Sequence, residues 1–192
     1  MQTPARNWWL LSLCGIFEVI YCGMTFFMLR PDGTLAFRAF VSRRNTVVDM
    51  GLLALAAGVC AIAAAIWNSQ KTSAWLLALN GVALSVLGLL LAFRTGPISF
   101  RAIALLFAAM AISAGGHELI LAQASATRWL WIAAGIVSLA FAAAFLSFTV
   151  GFVELARSPI ATFIWMGSYL AFSAACMLIL AAKTEPKALA AL

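Results

Sequence analysis

Six apolar runs, residues 8–29, 46–67, 75–93, 102–122, 129–153 and 160–182, take up nearly the whole chain and leave no segment between them that could form a soluble domain. At about 1.5 Å of rise per residue, helices of these lengths would reach roughly 28 to 38 Å, enough to cross a hydrocarbon core of about 30 Å. Strands of a membrane barrel are about ten residues long and alternate polar with apolar side chains. These runs do neither. The sequence therefore predicts an all-α, polytopic membrane protein, with six transmembrane helices forming a single integral membrane domain over residues 1–192. Composition agrees: 65% of the residues are hydrophobic and 9% charged, and the mean hydropathy of +1.06 lies far above that of a soluble domain. The first run is longer than the core of a signal peptide and is followed by five others, so it is expected to be a retained span.

The runs pair into hairpins with a shared punctuation. Trp9 precedes Gly15 by six residues and Gly15 precedes Pro31 by sixteen; Trp75, Gly81 and Pro97 repeat both intervals. Trp129 and Gly135 repeat the first, and sixteen residues further on stands Gly151 where the other copies have proline. Tryptophan suits the interface where a helix enters, glycine allows close helix contact, and proline or glycine breaks the chain after the helix leaves. The expectation is three repeated helical hairpins, about 8–67, 75–122 and 129–182, with a longer loop in the first. An odd number of two-helix units keeps every copy in one orientation, unlike the inverted repeats of many secondary transporters, and suits a pseudo-threefold arrangement.

This pattern, carried by WLLSLCGIFEVIYCGMTFFMLRP, WLLALNGVALSVLGLLLAFRTGP and WLWIAAGIVSLAFAAAFLSFTVG, resembles the HdeD family of bacterial six-helix inner-membrane proteins. The resemblance spans residues 8 to about 182; Gly151 and the long first hairpin depart from it. It implies a multi-pass protein of the bacterial inner (cytoplasmic) membrane that supports acid resistance or the stress response. It supplies no catalytic residues.

Ionisable residues inside the runs bear most directly on function, because such groups cost several kcal/mol in a bilayer and by default mark a site for protons or ions. Glu18 lies ten residues into the first run, on a stripe of Cys14, Glu18, Tyr21, Cys22 and Thr25 at helical spacing that should face the bundle. In the fourth run Ser113, Gly116 and His117 share a stripe, and Glu118 is turned about 100° from His117. His117 and Glu118 cannot face each other, but either could meet a partner on helix 1 or 3, where Asn80 is the best polar candidate. The plainer alternative is that each glutamate only bridges two helices. Asp49 is expected to cap the second helix near the headgroups.

Other chemistry finds less support. Cys22, Met24 and Met28 supply soft ligands of the kind Cu(I) accepts, but Cys22 and Met24 point to different faces, so no metal is expected. One histidine excludes a bis-histidine haem, and neither GxSxG nor HExxH occurs. No catalytic residue and no cofactor are assigned. The cysteines all lie inside apolar runs and read as packing residues. Gly15, Gly81, Gly88, Gly135 and Gly167 read as helix-packing positions, and the stripe Gly167, Ala171, Ala174 and Leu178 as packing or a homo-oligomer contact.

The net charge of +6 is spread over single residues at run ends apart from Arg43 and Arg44, which suits lipid headgroups and excludes a nucleic-acid groove. Seven basic residues fall in the connections after the first, third and fifth runs, against five on the side of the termini. That difference leans towards placing those connections in the cytoplasm. Trp8, Trp9, Trp67, Trp75, Trp129 and Trp131 form a belt at the interface on the side of the termini. Three functional readings follow: an HdeD-like protein binding or moving protons or a small solute, a scaffold with no transport activity, and a small-molecule transporter or channel.

Overall fold

A computed structural model describes the backbone of residues 8–28, 44–67, 74–93, 100–124, 127–150 and 159–184, and the side chains of 9–26, 47–67, 74–93, 101–123, 127–150 and 164–182. The turn residues Pro31, Pro97 and Gly151, Arg43, and the side chains of Trp8, Met28 and Arg44 lie outside the described residues. Six helices follow one another: α1 (Trp8–Met28), α2 (Arg44–Trp67), α3 (Ala74–Phe93), α4 (Phe100–Ala124), α5 (Arg128–Val150) and α6 (Pro159–Thr184). Each is long and apolar enough to span a membrane, and no strand occurs among the described residues. The chain is a multi-pass membrane protein of the all-α class. Lipid dictates this outcome, because a backbone without water must satisfy its own N–H and C=O groups. Hydroxyls obey the same rule within their helices: Thr25 donates to the Tyr21 carbonyl at 2.9 Å and Ser113 to those of Ala109 and Met110 at 2.9 Å.

Asp49 corrects the expectation placed on it. Helix α2 starts at Arg44, two residues ahead of the apolar run, so Arg44 and Asn45 belong to its first turn. Asp49 therefore sits in the second turn with an exposed side chain, beyond reach of the first N–H groups, and caps nothing.

The most intimate packing runs between the sequence hairpins and not within them. Helix α3 lies antiparallel against α2 through two glycine pairs, Gly51 with Gly88 and Gly58 with Gly81. A Cβ added to Gly81 would stand 2.7 Å from the Gly58 carbonyl oxygen, and one added to Gly88 2.6 Å from that of Gly51. Helix α5 uses Gly135 against Gly115 and Leu119 of α4, and α1 uses Gly15 against Ala174 and Leu178 of α6. Each repeat glycine thus meets the second helix of the preceding hairpin, counted cyclically, at two residues four apart: 58 and 62, 115 and 119, 174 and 178. At the other end of the α1–α6 pair, Gly167 fits against Phe26 and Thr25. The glycine sits on the helix face turned away from its own hairpin partner, which is why the close approach joins neighbouring hairpins.

Not every glycine is used this way. A Cβ at Gly23 on the exposed side of α1 would meet nothing within 4 Å. Gly23→Ala is expected to leave the unfolding midpoint in detergent unchanged or higher, since alanine is favoured over glycine in a helix by about 1 kcal/mol. A lower midpoint would show that this face of α1 is covered.

Of the three hairpins, that of α5 and α6 brings its two backbones together least, and aromatic side chains fill the space between them. Phe141 meets Trp165, Tyr169 and Phe172, with ring centroids 5.8, 5.5 and 6.2 Å away, and Phe145 meets Tyr169 at 5.9 Å. Phe107 of α4 completes the cluster, 6.0 Å from Tyr169 and 5.2 Å from Phe145. Outside, residues such as Ile66, Val59, Val82 and Ile136 remain exposed, as a lipid-facing surface requires. Trp9, Trp67, Trp75 and Trp129 are exposed near helix ends, with Trp9 and Trp67 in edge contact at 6.4 Å. Trp131 departs from this belt: it is buried and turns into the bundle.

Candidate functional site

The inward stripe of α1 is buried along its whole length, Cys14, Glu18, Tyr21, Cys22 and Thr25 alike. Glu18 is 1% exposed in the middle of this helix. The Cys14 thiol, one turn earlier, donates to Glu18 Oε1 at 3.7 Å, and Ser173 of α6 lies against the same carboxyl. Oε2 makes no hydrogen bond within the protein. Tyr21 stands one turn further along, its carbonyl engaged by Thr25.

Glu118 of α4 is 4% exposed. Ser138 of α5 donates to its Oε2 at 2.7 Å, and the Cys176 thiol of α6 lies within hydrogen-bonding reach of the same group. The two carboxyls therefore project from different helices towards one wall. That wall is the face of α6 bearing Tyr169, Ser173 and Cys176, which helical spacing places above one another. Tyr169 is fully buried, close to both carboxyls and to Ser173. No Lys or Arg is buried among the described residues, and the imidazole nearest to Glu118 is that of His117, on the same cavity.

A cavity opens beside Glu118, bounded by α3, α4, α5 and α6. Asn80, His117, Glu118, Trp131, Ser173 and Cys176 contribute its polar and aromatic lining, and Leu76, Leu77, Ala114 and Met177 much of the rest. Asn80 lies in the second turn of α3 and Glu118 near the end of α4, so the cavity occupies the half of the bundle on the side of the termini. The space open to the centre of a water-sized molecule is about 20 Å³. One water needs roughly 10–15 Å³ on this measure. His117 and Glu118, adjacent in sequence, both reach the cavity because it lies over the edge between their two faces.

Asn80, His117 and Glu118 thus share one cavity, whereas Glu18 stands outside it and is linked to it through Ser173, which borders both. Cys22, one of the soft ligands considered for copper, donates its thiol to the Gly167 carbonyl at 3.3 Å. Met24 is half-buried in the core, and no group of three or more His, Cys, Asp or Glu that could hold a metal occurs among the described residues.

Sequence reasoning overlooked Ser138, Tyr169 and Ser173. Two signals could have found them. Ser138 stands three residues after Gly135 as Glu18 stands three after Gly15, which puts the serine and the glutamate at matching positions of the repeat. Tyr169, Ser173 and Cys176 form a polar stripe on α6 at the same spacing as the stripe on α1. Compared with protein-family models, with curated proteins and with solved structures, the chain has no significant match.

Proposed function

We propose that this membrane protein binds and exchanges protons at Glu18 and Glu118 within its helix bundle. The observation that carries the proposal is the convergence of two buried carboxyls, from α1 and α4, on one hydroxyl- and thiol-bearing face of α6. Structural glutamates inside a membrane usually pair with a basic side chain or a backbone group; an intramembrane carboxyl with small protic neighbours suits a proton site. The cavity at Glu118 has room for about one water and not for a metabolite, which favours the proton over a small solute as the species handled. The resemblance to HdeD-like proteins supports placing this activity in acid or stress tolerance at a bacterial cytoplasmic membrane.

A second reading, a scaffold whose polar residues fix helix register, is favoured by the seclusion of Glu18, which does not border the cavity. Dissipation of a pH gradient across liposomes containing the purified protein separates the two. Flux above that of empty liposomes, reduced at least tenfold in a folded Glu118→Gln or Glu18→Gln variant, is the expected result. Wild-type liposomes as tight as empty ones would refute proton movement and leave the carboxyls as bridges between helices.

A further inference from the structure

The Asn80 amide is a polar group of the cavity that makes no hydrogen bond within the protein. Asn80 is 1% exposed, and neither Nδ2 nor Oδ1 has a hydrogen-bond partner within the protein. A buried amide left without partners bears the full penalty of its desolvation. In the apolar interior of a bundle no lipid headgroup or bulk water relieves that cost. The same side chain borders a cavity that also exposes Glu118, Cys176 and Ser173, and whose volume exceeds the minimum for one water. An apolar cavity of this size would stay dry, but a polar one offering two to four partners holds water.

We infer that the cavity is a binding site for a single ordered water, held between the Asn80 amide and the Glu118 carboxyl. Asn80 can both donate and accept, and a carboxyl can do either according to its protonation, so the water is anchored in both forms of Glu118. The water extends the hydrogen-bonded system of Glu118 from α4, α5 and α6 to α3. The inference shares its site with the proton proposal but does not depend on flux: a bound water in a protein that carries no protons would sink only the proton proposal, and flux through a dry cavity would sink only this one.

An experimental structure of the full chain, at a resolution that shows ordered water, is expected to place one water within hydrogen-bonding distance of both Asn80 and Glu118. An empty cavity in a map that shows comparable waters elsewhere overturns the inference. Asn80→Leu, which keeps the branching of the side chain, removes its polar atoms and adds bulk, gives an independent reading by thermal unfolding. With a bridging water the variant loses an anchored partner of Glu118, and its Tm is expected to be unchanged or lower. A higher Tm would show that the wild-type amide is buried dry, and would overturn the inference as well.

Discussion

Gly81→Leu is expected to leave almost no folded protein in detergent, and Gly81→Ala to lower the unfolding free energy by about 2–3 kcal/mol, the upper range for overpacking a tight core. The reason lies in which atoms a new Cβ meets. At Gly81 these are the Gly58 carbonyl oxygen at 2.7 Å and the Ile62 amide nitrogen at 2.9 Å, so backbone has to move. Moving it separates α2 from α3 along two turns and weakens the Gly51–Gly88 contact as well. Gly135 offers a graded comparison. Its nearest neighbours are Leu119 Cγ at 2.7 Å and Cδ2 at 2.9 Å, with the Gly115 carbonyl oxygen at 3.1 Å. A leucine side chain can change rotamer where a peptide cannot, so Gly135→Ala is expected to cost about half as much. Reversible unfolding followed by helical circular dichroism would order the variants Gly81→Ala, Gly135→Ala and Gly23→Ala from most to least damaging. Wild-type stability in Gly81→Ala would mean that α2 and α3 do not approach as closely as this packing requires.

The fold was legible because the physics of the bilayer leaves so few options. Run length alone separates helices from barrel strands, and α1, α3 and α5 begin within a residue of the positions read from hydropathy. What hydropathy cannot carry is the identity of neighbours, since every helix face in lipid is apolar. The spacing of Gly15, Gly81 and Gly135 marks positions of close contact but says nothing of the partner. Gly58 and Gly115, which complete the contacts of Gly81 and Gly135, carry no tryptophan or proline to flag them. At the site, Glu18, Asn80, His117 and Glu118 stand out as polar residues in apolar runs. Ser138 and Ser173 do not, because a serine in a membrane helix is usually answered by its own backbone, as Ser113 is. Only the three-dimensional arrangement shows that Ser138 turns away from its helix to Glu118. Trp131 illustrates the converse: it sits next to an exposed interfacial Trp129 but two residues on, about 200° around the helix, and so faces inward.

Tyr169→Ala is the substitution expected to do most damage outside the glycine contacts, lowering stability by about 3 kcal/mol, at the low end of the range for deleting a large aromatic from a core. Tyr169 is fully buried, and its ring lies edge-on to Phe107, Phe141 and Phe145 with centroids 6.0, 5.5 and 5.9 Å away. Edge-to-face pairs are worth about 0.5–1.5 kcal/mol each beyond the area they bury. The low end applies because lipid is as apolar as the core, so the loss is of packing and not of transfer from water. The ring also acts as a spacer. With α5 and α6 joined by side chains more than by close backbones, its removal leaves a gap that neither helix can close without breaking its contact with α4 or α1. Tyr169→Phe separates ring from hydroxyl. Since Tyr169 Oη has no hydrogen-bond partner within ordinary geometry, phenylalanine is expected to keep stability within about 1 kcal/mol of wild type. Equal losses in the two variants would mean that the hydroxyl, and not the ring, holds α6 against the two carboxyls. Near-wild-type stability in Tyr169→Ala would mean that the aromatic cluster merely occupies a space the bundle can do without.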